Sequence, residues 1–251
     1  MTMTIVIAWI ILSVPLALFP LLDVDQQFAF NYSLLMQIIT PIAAAAFCYI
    51  TAIVFPKGDA MRRVWMLLGA GMLCWGIGAI LFAVYPLIYG GQETPYPWYS
   101  DIGYLFMAPF VLTAFFVFKK SLYVEIPVWG LMTAVVFFLV ALTLSIVINF
   151  SKLVGSDSFF LFVVTLLYTV GDPLLLGGTV VTGSILAGGA VGRPWWFVLI
   201  GLVLYYAADL AYTSLVASGQ YATGNAIDTG WLLGFGCIAV AASMTRELFK
   251  E

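Results

Sequence analysis

Residues 158–184 read SFFLFVVTLLYTVGDPLLLGGTVVTGS, 27 positions with a single charge, Asp172. A helix needs about 20 apolar residues to cross the hydrocarbon core of a bilayer, and this run clears that length. A strand with an open edge would leave its backbone N–H and C=O groups unbonded in lipid, so the run is read as a helix. Seven further runs of the same kind cover about 4–22, 33–55, 63–88, 99–118, 127–149, 195–217 and 227–245. Hydrophobic residues make up 64% of the 251 and charged residues 8%, whereas a soluble domain carries about a quarter charged residues. The predicted fold class is therefore all-α, a polytopic integral membrane protein of eight transmembrane helices, multi-pass in the cell membrane (inner or plasma). Eight spans take up about 160 residues, which leaves no room for a soluble catalytic or nucleic-acid-binding domain. The first run, TIVIAWIILSVPLALFPLL, has no basic leader and no small-residue cleavage site, so it reads as a retained span rather than a signal peptide.

Charge sorts the loops. Lys57, Arg62, Arg63, Lys119, Lys120, Arg193, Arg246 and Lys250 fall on one side of the predicted topology and Lys152 alone on the other, eight against one. The positive-inside rule then puts both termini in the cytoplasm. Tyr96, Trp98 and Tyr99 before the fourth span, and Trp195 and Trp196 at the start of the seventh, fit interfacial aromatic belts. The chain has no histidine, the usual ligand for haem and zinc and the usual neutral-pH proton shuttle. All five lysines fall in predicted loops or the tail, so no retinal Schiff base is expected. No haem, zinc, retinal or other cofactor is predicted. Cys48, Cys74 and Cys237 lie in apolar runs and read as packing residues. A net charge of −3 implies no acidic or basic partner, and no nucleic acid.

Sliding the chain on itself reveals an internal repeat. RRVWMLLGAGMLCWGIGAILFAVY (62–85) aligns with RPWWFVLIGLVLYYAADLAYTSL (193–215), Trp65 over Trp196 and Gly78 over Asp209. Asp101-x-Gly103-Tyr104-Leu105 matches Asp228-x-Gly230-Trp231-Leu232, and Pro41 roughly matches Pro173. The offset is near 131, slipping to 127. The expected organisation is two parallel four-helix repeats, 1–122 and 123–251, related by an axis along the membrane normal.

The segments LLYTVGDPLLLGG (166–178), VLYYAADLAYTSLVASGQYATGNAIDTGWLLGFGCIAVAA (203–242) and LCWGIGAILFAVY…PYPWYSDIGYLFMAPF (73–110) carry a resemblance. Over roughly residues 65–243 the chain is similar to the multi-span N-terminal membrane region of many bacterial and archaeal signalling proteins. In those proteins the region precedes PAS, diguanylate cyclase, phosphodiesterase or histidine-kinase domains. The resemblance implies a membrane sensor whose output domain would follow near Arg246. Either the chain stands alone, or its output domain lies beyond residue 251.

The candidate site rests on intramembrane carboxylates. Asp23, Asp25, Asp59, Glu93, Glu125, Asp157, Glu247 and Glu251 read as solvated loop or tail charges. Asp172 falls near the middle of the sixth span, Asp209 two-thirds along the seventh, and Asp101 and Asp228 in the first turns of the fourth and eighth. A bare charge at mid-bilayer costs about 2.5–3.5 kcal/mol on insertion scales, and no predicted span supplies a cation. Aromatic partners recur at helical spacing: Tyr168 precedes Asp172 by four, Tyr205 and Tyr212 flank Asp209, Trp231 follows Asp228 by three, and Tyr104 follows Asp101 by three. Pro173 removes a backbone donor and opens a polar break near Thr169. For all four acids the plain reading is hydrogen-bonded structural glue. The sharper one is a ligand-binding pocket in the C-terminal half, open to the outer face and built from Asp172, Asp209, Asp228, Tyr168, Tyr205, Tyr206, Tyr212 and Trp231, with Asp101 and Tyr104 as repeat equivalents. It would take a proton, a monovalent cation, an amine or an uncharged apolar ligand, with cation–π support. Gly69, Gly71, Gly76, Gly78, Gly177, Gly178, Gly183, Gly188 and Gly189 read as helix-packing positions rather than nucleotide loops.

No Ser/His/Asp set, phosphate loop or metal cluster is present in the sequence, so the chain is not expected to be an enzyme. The leading expectation is a sensory or ligand-binding membrane module that passes its signal to the cytoplasmic C-terminus. Its expected partners are the lipid bilayer, a small apolar or cationic ligand, and a homodimer mate or cytoplasmic signalling partner. A small secondary transporter coupled to protons or cations is the alternative, weakened because the first half lacks counterparts of Asp172 and Asp209. A structural subunit of a membrane complex is the third reading.

Overall fold

The computed structural model describes residues 2–122, 125–155, 158–185 and 192–250. They form eight helices: α1 (Thr2–Leu18), α2 (Gln26–Ala52), α3 (Ala60–Ile88), α4 (Ser100–Leu122), α5 (Val128–Val154), α6 (Phe159–Ile185), α7 (Arg193–Ala217) and α8 (Asp228–Phe249). No strand occurs among the described residues. The expectations on Asp157, Gly188, Gly189 and Glu251 lie outside them. Helices α2 to α8 are long and apolar enough to cross a membrane, which makes the chain a multi-pass helical membrane protein. The first helix is shorter than expected, at 17 residues. At 1.5 Å per residue it reaches about 25 Å, less than the hydrocarbon core of about 30 Å. The chain turns at Phe19–Asp23, where Asp23 takes a φ of 49°.

Two helix boundaries move for local reasons. The second helix starts at Gln26 because Asp25 caps it, its carboxylate accepting the Phe28 N–H at 2.9 Å. Asp59 caps α3 in the same way, accepting from Met61 N at 2.6 Å. These two acids, read as plain solvated charges, therefore satisfy orphan N–H groups at helix starts. The fifth helix runs on to Val154 and takes Lys152 into its last turn. There a cation favourably meets the negative end of the helix dipole.

Small residues set how closely the helices approach. The glycines of α3 sort by face: Gly69 and Gly76, two turns apart, meet Tyr49, Cys48 and Ile42 of α2, while Gly71 and Gly78 meet Met107, Val111 and Tyr104 of α4. A Cβ on Gly103 would stand 2.6 Å from the Gly78 Cα, and one on Gly230 would stand 2.8 Å from the Ala208 Cβ. A Cβ on Gly71 would lie 3.2 Å from the Met107 carbonyl oxygen, and one on Gly201 2.6 Å from that of Gly234. The matched positions are 130 apart between α3 and α7 and 127 apart between α4 and α8. That spacing sets Trp65 against Trp195, one residue off the alignment with Trp196, and the two rings do meet, with centroids 6.0 Å apart.

The same pairing extends between the halves: α4 packs on α6, and α8 on α2. The outer pair breaks it, since α5 lies along α6 whereas α1 lies along α8. There Trp9 fills the space left by Gly236 and donates from Nε1 to the Leu232 carbonyl at 2.9 Å. The ends of α1 and α8 meet, because Glu247 accepts from Thr2 N at 3.0 Å and from Thr2 Oγ1 at 2.8 Å. The main core joins α2, α3, α4, α7 and α8, with α8 the most enclosed span and α5 the least. The expected aromatic belts are only half present. Tyr99 and Trp196 face outward, but Trp195 is buried against Phe118, with centroids 4.0 Å apart, and Tyr96 turns inward.

Candidate functional site

A polar cavity of about 70 Å³ lies among α2 to α8, toward the end of the bundle where α4 and α8 begin and α5 and α7 finish. The sequence singled out Asp172, Asp209, Tyr168, Tyr205, Tyr212 and Trp231, and all six line it, as do the repeat equivalents Asp101 and Tyr104. Two expected members do not. Asp228 lies behind the wall, fully enclosed. Tyr206 points to α5, where its hydroxyl donates to the Ala141 carbonyl at 2.8 Å and lies 3.4 Å from Ser145 Oγ. A helix turns 100° per residue, so Tyr205 and its neighbour Tyr206 cannot share a face. The site also draws on both halves of the chain rather than the C-terminal half alone.

The four acids differ sharply in their partners. Asp228 accepts from Ser33 Oγ at 2.7 Å, Tyr221 Oη at 3.0 Å and Gly224 N at 2.9 Å, with Gln37 Nε2 at 3.5 Å. Gly224 sits at φ 96°, in the left-handed region that glycine tolerates, and so presents its N–H to the carboxylate. Burial, with Asp228 beside it, pushes the Tyr221 phenol well above its ordinary range, so it remains a donor. Asp101 accepts from Trp98 N at 2.6 Å and Tyr168 Oη at 2.9 Å. Each of these acids thus ties the loop before its own helix to a helix of the other half, α2 for Asp228 and α6 for Asp101. Their hydrogen bonds latch neighbouring helices together.

Asp209 and Asp172 are different. Trp231 Nε1 donates to Asp209 Oδ1 at 2.7 Å, but Oδ2 is buried with no hydrogen-bond partner. Tyr205 stands close to the same carboxyl without making that bond. No described residue hydrogen-bonds Asp172, which shares the cavity with Asp209 and interacts with it electrostatically. Leaving a buried acceptor unpaired costs about 1–3 kcal/mol, and more when it is charged. Around the pair stand aromatic rings: Trp75 lies 4.7 Å from Tyr104 and 6.3 Å from Trp231, and Tyr212 lies 5.6 Å from Trp231. Such faces stabilise a cation between them.

Sequence reasoning missed Trp75, Tyr96, Lys152 and Tyr221. The repeat held the signal for Trp75, because the 130-residue spacing makes it the mate of Tyr205. Lys152 is a correction. It was placed in a loop, yet it projects from the last turn of α5 into the cavity wall, with Nζ 4.7 Å above the Tyr96 ring. The premise that no cation approaches the intramembrane acids therefore fails at the mouth of the cavity. The exclusion of a retinal Schiff base rested on the same premise and loses that support. Among the described residues no group of three or more His, Cys, Asp or Glu converges to hold a metal ion. The three cysteines are unbridged, with Cys48 buried and Cys74 and Cys237 half-buried between helices. No protein-family model, curated protein or solved structure matches this chain.

Proposed function

We propose that this chain is a membrane-embedded ligand-binding module of the sensory kind, and not an enzyme. It would receive a small cationic or apolar ligand in the outer half of the cell membrane. The carrying observation is the unpaired Asp209 Oδ2 and the unbonded Asp172, which line one cavity walled by aromatic rings. No side chain donates to Asp209 Oδ2, and a ligand with a positive or donating group gains a hydrogen bond there. Asp172 stands on α6, Asp209 on α7, Trp75 on α3 and Tyr104 on α4, so an occupant touches both halves at once. A ligand shifts a conformational equilibrium only by binding two packings unequally, and a site shared between halves meets that condition. The Trp231–Asp209 bond joins the site to α8, whose far end carries the C-terminus.

In this reading the halves are parallel repeats, supported by the matched helix contacts at spacings of 130 and 127. Both termini are cytoplasmic, supported by the Thr2–Glu247 contact and the clustering of eight of nine basic residues. A homodimer mate or cytoplasmic partner would read the end of α8. The similarity to membrane regions of signalling proteins points the same way.

The test is thermal unfolding of the protein in nanodiscs with and without methylammonium or Na⁺. The wild type should gain several degrees with at least one of these cations, and Asp172→Asn with Asp209→Asn should abolish the gain. Unchanged melting curves in the wild type would reject a cation-binding site. The transporter reading keeps one observation in its favour, since Pro109 and Pro173 each remove a backbone donor inside the facing helices α4 and α6 beside Asp172. Proteoliposomes under a proton gradient separate the two, because a receptor shows no coupled amine uptake.

A further inference from the structure

Between α4 and α6 runs an apolar groove of about 480 Å³, bordered by Phe106, Pro109, Leu112, Leu167 and Leu174. Phe106, Leu167 and Leu174 are exposed on the flank that faces lipid. Tyr104, Tyr168, Asp172 and Tyr205 border both the groove and the polar cavity, so Asp172 stands between the two spaces. Helix packing is loose at this depth. A Cβ placed on Gly171 would meet only the Ala108 Cβ, at 4.0 Å, in contrast to the overlaps at Gly103 and Gly78.

Size decides what fits. A cavity of about 70 Å³ accommodates a few water-sized groups, far below the 300–1,000 Å³ typical of sites that enclose a whole organic ligand. The groove has the volume for an apolar body but almost no polar lining beyond Asp172 and the tyrosines. Together they fit a molecule with a compact charged head and a longer apolar tail. A positive, hydrogen-bond-donating head complements this lining, since the cavity is bordered by three acids (Asp101, Asp172 and Asp209) and one cation, Lys152, and Asp209 Oδ2 has no side-chain partner.

We infer that the ligand is a lipid-soluble primary or methylated amine that reaches the Asp172–Asp209 pair sideways from the bilayer. Its ammonium sits between the carboxyls and the rings of Trp75 and Tyr104, and its alkyl chain lies in the α4/α6 groove. This inference rests on the ligand-binding reading above and adds the ligand class and the path.

Binding of dodecylammonium, methylammonium and dodecanol is measured by tryptophan fluorescence in nanodiscs, with concentrations expressed per lipid for the two amphiphiles. The expected result is dodecylammonium binding at least tenfold tighter than either methylammonium or dodecanol. Gly171→Phe, which fills the groove without altering a carboxylate, should weaken dodecylammonium at least tenfold and leave methylammonium within twofold. Leu174→Trp obstructs the groove from its exposed rim and serves as the second variant should Gly171→Phe fail to fold. Asp209→Asn should weaken both amines. If the groove variants bind dodecylammonium like the wild type while Asp209→Asn still weakens both amines, the lateral path is wrong and the binding site stands. Dodecanol binding as tightly as dodecylammonium reduces the groove to an acyl-chain furrow and overturns the inference. If Asp209→Asn changes neither amine, the ligand-binding reading fails with it.

Discussion

Two aspartates in one bundle do opposite work, and the difference lies in their donors. Asp228 is surrounded by hydroxyl, phenol and backbone N–H groups from α2 and from the loop before α8. Removing its carboxylate strands those donors inside the protein. Asp228→Ala should therefore cost about 2–4 kcal/mol of stability, read from unfolding in mixed micelles; a loss under about 0.5 kcal/mol would deny it the latch role. Asp209 has one satisfied oxygen and one idle one. Asp209→Asn keeps an oxygen for Trp231 and removes the buried, unmet anionic demand, so the ligand-free protein should melt at the same or a higher temperature. A clear drop in Tm would show that the idle oxygen has a partner after all.

At the scale of helices, small residues fix separation, and separation decides where space remains. Gly103 and Gly78 bring the backbones of α3 and α4 together, while Gly171 faces a gap between α6 and α4. Gly103→Ala should thus destabilise by about 1–3 kcal/mol through overpacking. Gly171→Ala should be neutral within about 0.5 kcal/mol, and Ala even holds the helix better than Gly in peptide scales. The two substitutions are chemically identical, so a matched pair of unfolding curves isolates packing from propensity. Equal effects would mean that the α4/α6 gap closes in the bilayer.

For the whole molecule, the first helix lies along the last and their ends meet. In a background with Cys48, Cys74 and Cys237 replaced by alanine, Thr2→Cys with Ser243→Cys should form a disulfide under mild oxidation, since the two hydroxyl oxygens lie 3.0 Å apart. Failure to crosslink would dislodge α1 from α8. In the same background Lys57→Cys and Gln92→Cys, in the loops at opposite ends of α3, should react with a membrane-impermeant thiol reagent from opposite sides. Positive-inside placement predicts position 57 on the cytoplasmic side.

Length and hydropathy were enough to find every helix in the sequence, because a backbone in lipid has no alternative to internal hydrogen bonding. They misplaced the first helix, which is shorter than its run, and the end of α5, where Lys152 continues the helix. Six of the eight proposed site residues reach one cavity: Tyr168 with Asp172, and Tyr205 and Tyr212 with Asp209, share a helix face by their spacing, whereas Trp231 leaves Asp228 and reaches the cavity through its bond to Asp209. Helical spacing says nothing about which face meets which neighbour. Hence Tyr206 turned to α5, Asp228 was absorbed into a network with α2, Trp75 and Tyr96 arrived from the other half of the chain, and Tyr221 came from the loop before α8. Local chemistry thus determined that the acids would be enclosed and flanked by rings. Only the tertiary structure decided that two of them would be satisfied and two left short of donors, because donors from other helices are assigned by packing and not by spacing.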